Sequence, residues 1–429
     1  MESCGKVKER VEIIDAAIER ERRGGQCPPG STIYLFALAC GAMVLPTVRT
    51  TDGRPYRVDQ KLSTVNSQLS TEKCRFPLLF CFSAAIIDDE RVWGEVDTME
   101  RKARILLITT GGTIVSRQGA EGLEPGGPQE LEQTLQNFAA YYEVGLRDIF
   151  CLDSSNIRPE EWQAIARAVY EERGKWDGIV ITHGTDTMAY SASALTFMLP
   201  GIDLPVVFTG SQLPMQHILS DGPDNLRTAF AMAASGVPGV FLAFDRKVML
   251  GCRAVKVRAS GFSAFESINA GYVAYVTDRG LTLNKDCLPV VSGPAALRTD
   301  ISKNVFLLKL TPGLSPEIFD ALAGMGYRGV VIEAFGLGGI NVLNRGLQGI
   351  RRAVEMGISV VVTTQCLYDS ANLRVYQVGS RLLDMGVIQG FDMTSEAAMT
   401  KLMWALGQKM TPEEIKKLFA KSIAGEITA

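Results

Sequence analysis

The sequence predicts an α/β protein with two doubly wound α/β domains, a larger N-terminal one and a smaller C-terminal one, behind an atypical N-terminal extension. Three observations lead to this prediction. From Arg104 onward, short apolar runs alternate with amphipathic helical stretches, which is typical of βα units around a largely parallel sheet. A loose segment rich in Gly, Pro, Asn and Asp interrupts the alternation at about 277–304. Residues 1–98 show no such alternation.

The composition is that of a globular protein with little histidine. Of 429 residues, 46% are hydrophobic and 21% are charged, and the net charge is −3. This balance argues against a surface that binds nucleic acid or an anionic membrane. The only histidines are His183 and His217, which argues against a histidine charge relay or a zinc site of several imidazoles. We therefore expect chemistry based on hydroxyls, carboxylates and amines, with no metal and no cofactor.

Residues 1–98 form the extension, which we expect to be poorly ordered and whose role the sequence does not reveal. It opens with a charged helical pattern at Lys6–Arg23 and contains apolar runs at Ile33–Leu45 and Phe76–Ile87. Both runs are shorter than the roughly 18–20 residues that span a bilayer. The first run also resembles part of a secretory signal, but it starts late and lacks a clear cleavage site. Because a basic lead into a core strand begins at Met99, we interpret residues 1–98 as an appended or mis-assigned leader.

The cysteines indicate the cellular compartment. There are nine of them, an odd number, and none form a CxxC pair. This usage favours buried free thiols in a reducing cytoplasm over disulfides or metal ligation.

The first predicted domain, 99–285, contains three clear strands and a well-patterned helix. The strands are Ile105–Ile108, Gly178–Thr182 and Pro205–Thr209. In the helix, at Glu160–Glu172, the apolar residues recur at helical spacing behind a proline that suits a first turn.

The second predicted domain, 304–429, repeats the pattern. Its strands lie near Val305–Leu310, Gly329–Glu333 and Ser359–Thr363, with helices between them.

Each of the three strands of the first domain runs into small hydroxyl and glycine residues. The turns read TTGGTI (109–114), HGTDT (183–187) and TGSQ (209–212). Ligands bind at the carboxyl ends of strands in open parallel sheets, so these turns are expected to line one crevice. An ordinary tight turn or a weak phosphate loop would also explain TTGGTI, but no dinucleotide or P-loop motif is present.

HGTDT suggests a reactive site, because Thr185 and Asp186 stand between a strand and a helix. Either residue could instead simply cap that helix. A threonine nucleophile needs a base, and with so little histidine a buried lysine linked to a carboxylate could serve. Lys256, in an otherwise apolar strand-like stretch, is one candidate. A lysine on an edge strand would look the same.

Taken together, the motifs resemble those of the asparaginase/glutaminase family, in its type I cytoplasmic L-asparaginase branch. The resemblance runs from about Met99 to the C-terminus. It rests on TGGTI, DSSNIRPEEW (153–162), DGIVITHGTDTMAYSASAL (177–195), VVFTGSQLPM (206–215), SDGPDNL (220–226), FESIN (265–269), KLTPGL (309–314), TTQCL (363–367) and TKLMWALG (400–407).

The resemblance implies hydrolysis of L-asparagine to L-aspartate and ammonia. Thr113 would be the nucleophile, forming an acyl-enzyme. Thr185, Asp186 and Lys256 would form a second catalytic group with a proton relay. The substrate would be held by residues of two turns, namely Asp153, Ser154, Ser155, Gly184, Thr185 and Asp186. The backbone N–H of Thr185 would stabilise the oxyanion, a contribution of roughly 3–4 kcal/mol to the barrier.

The resemblance also implies a homodimer or homotetramer with its active sites near the subunit interface. Some relatives carry an effector pocket in the region that matches Thr364–Cys366. One departure is clear: many members have a tyrosine in the lid loop after TGGTI, where this chain has Leu123. Another group must then support Thr113, or the site relies on Lys256 alone.

Two other functions fit the same fold. The related component of the archaeal tRNA-dependent amidotransferase carries an N-terminal β-barrel extension of similar length, although residues 1–98 lack the glycine-punctuated strands of a small barrel. A non-catalytic amino-acid sensor would not need Thr113, Thr185, Asp186 and Lys256 together. The sequence does not settle the preference between asparagine and glutamine.

Overall fold

A computed structural model describes residues 101–119, 122–124, 126–341 and 345–428, together with two short strands, Leu35–Ala37 (β1) and Phe82–Ala84 (β2). The chain divides into two units, 1–100 and 101–429. In the first unit, β1 and β2 pair antiparallel, and each lies within one of the predicted apolar runs. The predicted helix at Lys6–Arg23 lies outside the described residues.

An eight-stranded mixed sheet forms the centre of the second unit. Its strands, in spatial order, are Gly280–Leu283 (β14), Ala274–Thr277 (β13), Lys247–Leu250 (β10), Gly239–Phe244 (β9), Pro205–Thr209 (β8), Gly178–Thr182 (β7), Arg104–Gly111 (β3) and Glu143–Leu152 (β6). β6, β3, β7, β8 and β9 are parallel, and β10, β13 and β14 continue antiparallel. Because β3, β7 and β8 are neighbours, the three hydroxyl-rich turns leave the same edge of the sheet side by side.

Helices connect these strands. They are Glu132–Phe138 (α1), Pro159–Glu172 (α2), Met188–Met198 (α3) and Gly222–Ala233 (α4). Helix α2 begins one residue earlier than predicted, with Pro159 in its first turn, and it buries Trp162, Ile165 and Val169 as its apolar spacing requires. Helix α3 is buried almost all round, so its apolar residues cover both the sheet and a neighbouring helix.

Two small antiparallel ribbons stand apart from the large sheet. Arg117–Gln118 (β4) pairs with Leu123–Glu124 (β5), so the position of Leu123 lies in a short ribbon after the TTGGTI turn. Ala254–Lys256 (β11) pairs with Phe265–Ser267 (β12). The second ribbon carries Lys256 at its end, as the strand-like pattern predicted.

A parallel four-stranded sheet forms the second half. Its strands are Val305–Lys309 (β15), Gly329–Ala334 (β16), Ser359–Thr364 (β17) and Ile388–Gln389 (β18), in that order. Its helices are Ile318–Gly324 (α5), Gly346–Glu355 (α6), Gln377–Asp384 (α7), Ser395–Gly407 (α8) and Pro412–Phe419 (α9). The predicted fold class, two α/β domains, is confirmed. None of the helices in the described ranges is long and apolar enough to cross a bilayer.

The predicted linker contains structure at its start. Its first residues belong to the β13–β14 hairpin, and a 3₁₀ turn at Lys285–Cys287 follows before the chain runs without helix or strand from 288 to 304. The sequence did not predict the hairpin because both strands are only four residues long, largely exposed and flanked by Asp, Gly and Asn residues typical of a loop.

The two sheets share one hydrophobic core. Helix α8 packs against both α3 of the first half and β16 of the second, and its buried side chains, such as Leu402 and Trp404, join the core of the large sheet. A second cluster, around Leu322, Ile350 and Leu382, fills the opposite face of the small sheet. The site at the edge of the large sheet is thereby supported from both halves of the unit.

Candidate active site

The glycine turn after β3 brings Thr113 to the edge of the sheet. Gly111 and Gly112 have φ values of +99° and +85°, which residues with a side chain rarely adopt. Thr113 then begins a single 3₁₀ turn, Thr113–Val115, and is half-buried. A Cβ on Gly112 would lie 2.4 Å from the backbone N of Gly184, so this turn and the HGTDT turn touch through their main chains.

The HGTDT turn after β7 places a buried threonine beside an exposed aspartate. Thr185 is 6% exposed, whereas the side chain of Asp186 is 65% exposed. Helix α3 begins only at Met188, and its N-cap is Thr187, whose hydroxyl donates to Ser154 O at 2.7 Å. The capping alternative for Thr185 and Asp186 is therefore wrong.

Lys256 joins these two residues. Its Nζ donates to Thr185 Oγ1 at 2.8 Å and to Asp186 Oδ1 at 2.6 Å, and its side chain is 15% exposed. It does lie at the end of a two-stranded ribbon, but its amine points into this cluster and not into solvent. Lys256 thus lies on an edge strand, as the alternative had it, and its amine is also bonded to two acceptors of the HGTDT turn.

The DSS turn after β6 forms another wall of the site. Asp153 Oδ1 accepts from the backbone N–H of Ser155 at 2.8 Å and from its hydroxyl at 2.7 Å, and these bonds, the backbone one first, lower the pKa of the Asp153 carboxyl. Ser154 is buried, and its Oγ accepts from the backbone N–H of Asp186 at 3.3 Å. A Cβ on Gly184 would lie 2.6 Å from that Oγ, so only glycine lets the two turns meet.

The eight predicted site residues therefore lie in four adjoining segments. Thr113 is in the glycine turn, Gly184, Thr185 and Asp186 are in the HGTDT turn, Asp153, Ser154 and Ser155 are in the DSS turn, and Lys256 is on β11. The first three turns touch at Gly112, Gly184 and Ser154, and Lys256 reaches the second from across the sheet edge. Through the described part of the chain, no group of three or more His, Cys, Asp or Glu residues could hold a metal ion.

His183 supports the HGTDT turn from beneath. Its ring is fully buried, with Nδ1 2.7 Å from Gly184 O and Nε2 2.9 Å from Ser191 Oγ, and that hydroxyl also accepts from Trp162 Nε1 at 2.9 Å. A carbonyl needs a donor, so Nδ1 carries the hydrogen and Nε2 accepts from Ser191. Burial lowers the pKa of His183 from 6.5 to about 4, which keeps this ring neutral.

This buried ring makes stability depend on pH. Between pH 6.5 and about 4 the unfolded chain protonates His183 while the folded chain does not, so the free energy of unfolding falls as pH drops through this window. We expect this group alone to remove about 2–3 kcal/mol between pH 7 and pH 4.5. Urea unfolding at both pH values, in wild type and in His183→Gln, measures it. Equal losses in the two proteins would contradict the assignment.

Gln212 lies in the TGSQ turn and was not among the predicted site residues. Gln212 Oε1 lies 3.2 Å from Thr185 Oγ1 and is within hydrogen-bond reach of the cluster. The backbone N–H of Gln212 donates to the carboxylate of Asp221, another residue not singled out. Nothing in the periodicity of the chain marks either contact. Gln212 and Thr185 follow neighbouring strands, and Gln212 and Asp221 lie in one irregular loop between β8 and α4.

Comparison with known proteins agrees with this geometry. Residues 104–288 match the family model described as asparaginase, N-terminal, and residues 304–419 match the glutaminase/asparaginase C-terminal domain. The chain is 44% identical over 330 residues to the L-asparaginase of Thermococcus kodakarensis, a match that covers 76% of this chain and 99% of that protein. It is 37% identical over 337 residues to a glutamyl-tRNA(Gln) amidotransferase component of Pyrococcus abyssi, which covers 76% of each.

Solved structures show the same relationship. The thermostable L-asparaginase from Thermococcus kodakarensis superposes with a TM-score of 0.71 at 42% identity, covering 76% of this chain and 99% of that one. L-asparaginase I from Vibrio cholerae gives a TM-score of 0.69 at 32% identity, with coverage of 76% and 100%. With both family models matched and both halves of the fold in place, the chain belongs to the L-asparaginase family, in its type I branch, and is an enzyme of the amidohydrolase class.

Proposed function

We propose that the protein is an L-asparaginase that hydrolyses L-asparagine to L-aspartate and ammonia, with Thr113 as nucleophile. The observation that carries the proposal is the position of Lys256, whose amine bonds both Thr185 and Asp186 at the turn against which the Thr113 segment packs. A hydroxyl, an amine and a carboxylate in hydrogen-bond contact form the kind of group that activates a nucleophile without histidine.

The reaction divides into two steps. Thr113 Oγ attacks the side-chain amide carbon, its proton passes to the amide nitrogen through the Thr185–Lys256 group, and the C–N bond breaks to release ammonia. Water then adds to the acyl carbon, the C–O bond to Thr113 breaks, and the threonine regains its proton. The backbone N–H of Thr185 would stabilise the oxyanion in both steps.

The surrounding turns suit an α-amino acid. The hydroxyl of Ser154 accepts from the backbone of Asp186, so its own hydrogen is available for the substrate carboxylate, with Ser155 beside it. Asp153 would hold this turn in shape, and Gly184 would let Ser154 lie close enough to the HGTDT turn to share the ligand with it. The exposed carboxylate of Asp186 would receive the α-amino group.

The proposal extends to the setting of the enzyme. We propose domain limits of 99–285 and 304–429, a homodimer or homotetramer with active sites near the subunit interface, and a cytoplasmic location. The four cysteines in the described residues are free thiols, which suits a reducing compartment, but the prediction that they are buried is wrong for all except Cys252. A solved relative from Campylobacter jejuni, at 26% identity, is described as a probable cytoplasmic L-asparaginase.

The alternative is a role as a component of a tRNA-dependent amidotransferase, because the Pyrococcus abyssi protein is 37% identical. The extent of the match favours the asparaginase. It spans 99% of the Thermococcus enzyme but leaves about a quarter of the Pyrococcus protein unmatched. A non-catalytic sensor is disfavoured by the intact Thr185–Lys256 contact.

An ammonia-release assay tests the proposal. The full chain, without tRNA or partner proteins, is expected to release ammonia from asparagine, with glutamine measured in parallel. Binding of asparagine without turnover would instead indicate a sensor, and turnover only with tRNA and partner proteins would indicate the amidotransferase. A chain starting at Met99 is expected to match the full chain if residues 1–98 are a leader.

A further inference from the structure

Gln212 is held rigidly at the rim of the site. Its backbone N–H donates to both oxygens of Asp221 at 3.0 Å, and the N–H of Leu213 donates to the same carboxylate at 3.1 Å. Asp221 is itself fixed by the buried Asn225, whose Nδ2 donates to it at 2.9 Å. The direction of the Gln212 side chain is therefore set by the fold and not by the substrate.

The amide of Gln212 has only one orientation that satisfies its neighbours. Its Nε2 donates to Ala259 O and to Gly261 O, both at 3.1 Å. Turning the amide over would place Oε1 against two carbonyl oxygens, with no hydrogen between them. Both hydrogens of the amide are thus used on the loop between β11 and β12, and Oε1 faces Thr185.

The hydrogen-bond partners of Thr185 determine the direction of its hydroxyl hydrogen. Lys256 Nζ is the donor to Thr185 Oγ1 at 2.8 Å. Thr185 has one hydrogen to give, and Gln212 Oε1, at 3.2 Å, accepts it. One lone pair of Thr185 remains for whatever enters the site.

We propose that Gln212 is a positioning residue of the reaction. It holds the hydroxyl hydrogen of Thr185 away from the crevice, so that an attacking hydroxyl or water meets Thr185 as a hydrogen-bond acceptor. Without Oε1, the Thr185 hydrogen is free to turn towards the substrate, where it opposes the hydrogen of the attacking group. This inference rests on the proposed function, because the orientation of Thr185 matters only if it takes part in proton transfer.

Two variants separate this role from simple tethering of the β11–β12 loop. Gln212→Met keeps the length of the side chain but removes both the acceptor and the donors. Gln212→Glu keeps an acceptor towards Thr185 and loses the donors to Ala259 and Gly261. The matched control is Gln163→Met on α2, which also removes an amide that donates to a backbone carbonyl, Thr299 O at 2.8 Å, but lies outside the site.

Steady-state kinetics of the full chain with asparagine, across pH, and thermal unfolding of each variant are measured together. Gln212→Met is expected to lower kcat by about 10–100-fold with KM changed by less than about threefold, while Gln163→Met leaves both near wild type. Gln212→Glu is expected to keep more of kcat than Gln212→Met, because it still presents an acceptor to the Thr185 hydroxyl.

The outcomes are distinct. Equal losses of kcat in Gln212→Met and Gln212→Glu would assign Gln212 a tethering role only and overturn the inference. An active wild type with an unaffected Gln212→Met would overturn the inference and leave the proposed function standing. A wild type that releases no ammonia from asparagine would overturn the proposed function and the inference with it.

Discussion

Thr113→Ala is expected to lower kcat for asparagine hydrolysis by a factor on the order of 10³–10⁶, as removal of a nucleophile does in other acyl-transfer enzymes. The physical reason is that the other two threonines of the TTGGTI turn are buried and already donate elsewhere: Thr109 to Asp148 Oδ1 at 2.5 Å and Thr110 to Thr182 O at 2.7 Å. Binding of asparagine should persist, because its charged groups contact other turns. Ammonia release and equilibrium binding, measured separately, check both expectations.

Two matched variants serve as controls for this prediction. Thr113→Ser keeps a hydroxyl at the same place and is expected to retain activity within about tenfold of wild type. Thr110→Val removes a hydroxyl three residues away in the same turn and is expected to cost about 1 kcal/mol of stability while retaining most of the activity. Full activity in Thr113→Ala would show that another group attacks the amide.

Lys401→Met is expected to destabilise the fold by about 3–5 kcal/mol, because it leaves a buried carboxylate without its partner. The Nζ of Lys401, on α8, bonds Glu426 Oε1 at 2.6 Å, and both side chains are completely buried. The same amine donates to Lys421 O at 3.1 Å. Glu426 in turn accepts from the backbone N–H groups of Ile423 and Ala424, so the pair fixes the C-terminal segment.

A double variant separates the free-energy cost of leaving the buried Glu426 carboxylate unpaired from the contribution of the Lys401–Glu426 ion pair itself. In Lys401→Met/Glu426→Gln the carboxylate is neutralised, while an amide oxygen can still accept from the backbone. We expect it to recover more than half of the loss seen in the single variant, because the desolvated charge is gone. Urea unfolding at pH 7 measures the three free energies. A double variant no more stable than Lys401→Met would mean that the loss came from packing.

The C-terminal segment links this ion pair to the site. Arg253, three residues before Lys256, is 1% exposed and donates to Gly425 O at 2.7 Å and to Asp392 Oδ2 at 3.1 Å. The ribbon that carries Lys256 is therefore anchored on the end of the chain. This anchoring explains how an amine can be held within bonding distance of Thr185 on a ribbon of only two short strands.

The sequence predicted most of what lies in buried, parallel structure. Strands β7 and β8 have the predicted limits, because a strand covered on both faces is a continuous apolar run bounded by polar turns. The same reasoning placed the hydroxyl-rich turns at one edge. The β13–β14 hairpin was not predicted, because its strands have only four residues each and the residues around them, such as Asp278 and Asn284, are typical of a loop.

The sequence predicted which segments form the site, but not which of their side chains form hydrogen bonds with one another. The turns that carry Thr113 and Thr185 follow from strand ends, whereas the choice of Lys256 among the lysines came from the family resemblance and not from spacing. Gln212 and Ser191 were not singled out. Gln212 meets Thr185, 27 residues away, at the ends of neighbouring strands, and Ser191 meets His183, 8 residues away, from helix α3. Tertiary hydrogen bonds of this kind leave no periodic trace in a single chain.

The most direct test of the proposed mechanism is to identify the side chain that carries the acyl group. The wild-type protein, mixed with saturating asparagine and quenched rapidly in acid, is expected to carry the covalent intermediate, and peptide mass spectrometry can locate it. With Thr113 as nucleophile, we expect an aspartyl ester on Thr113 that is absent when Thr113 is replaced by alanine. An aspartyl ester on Thr185, or on any residue outside the glycine turn, would contradict it.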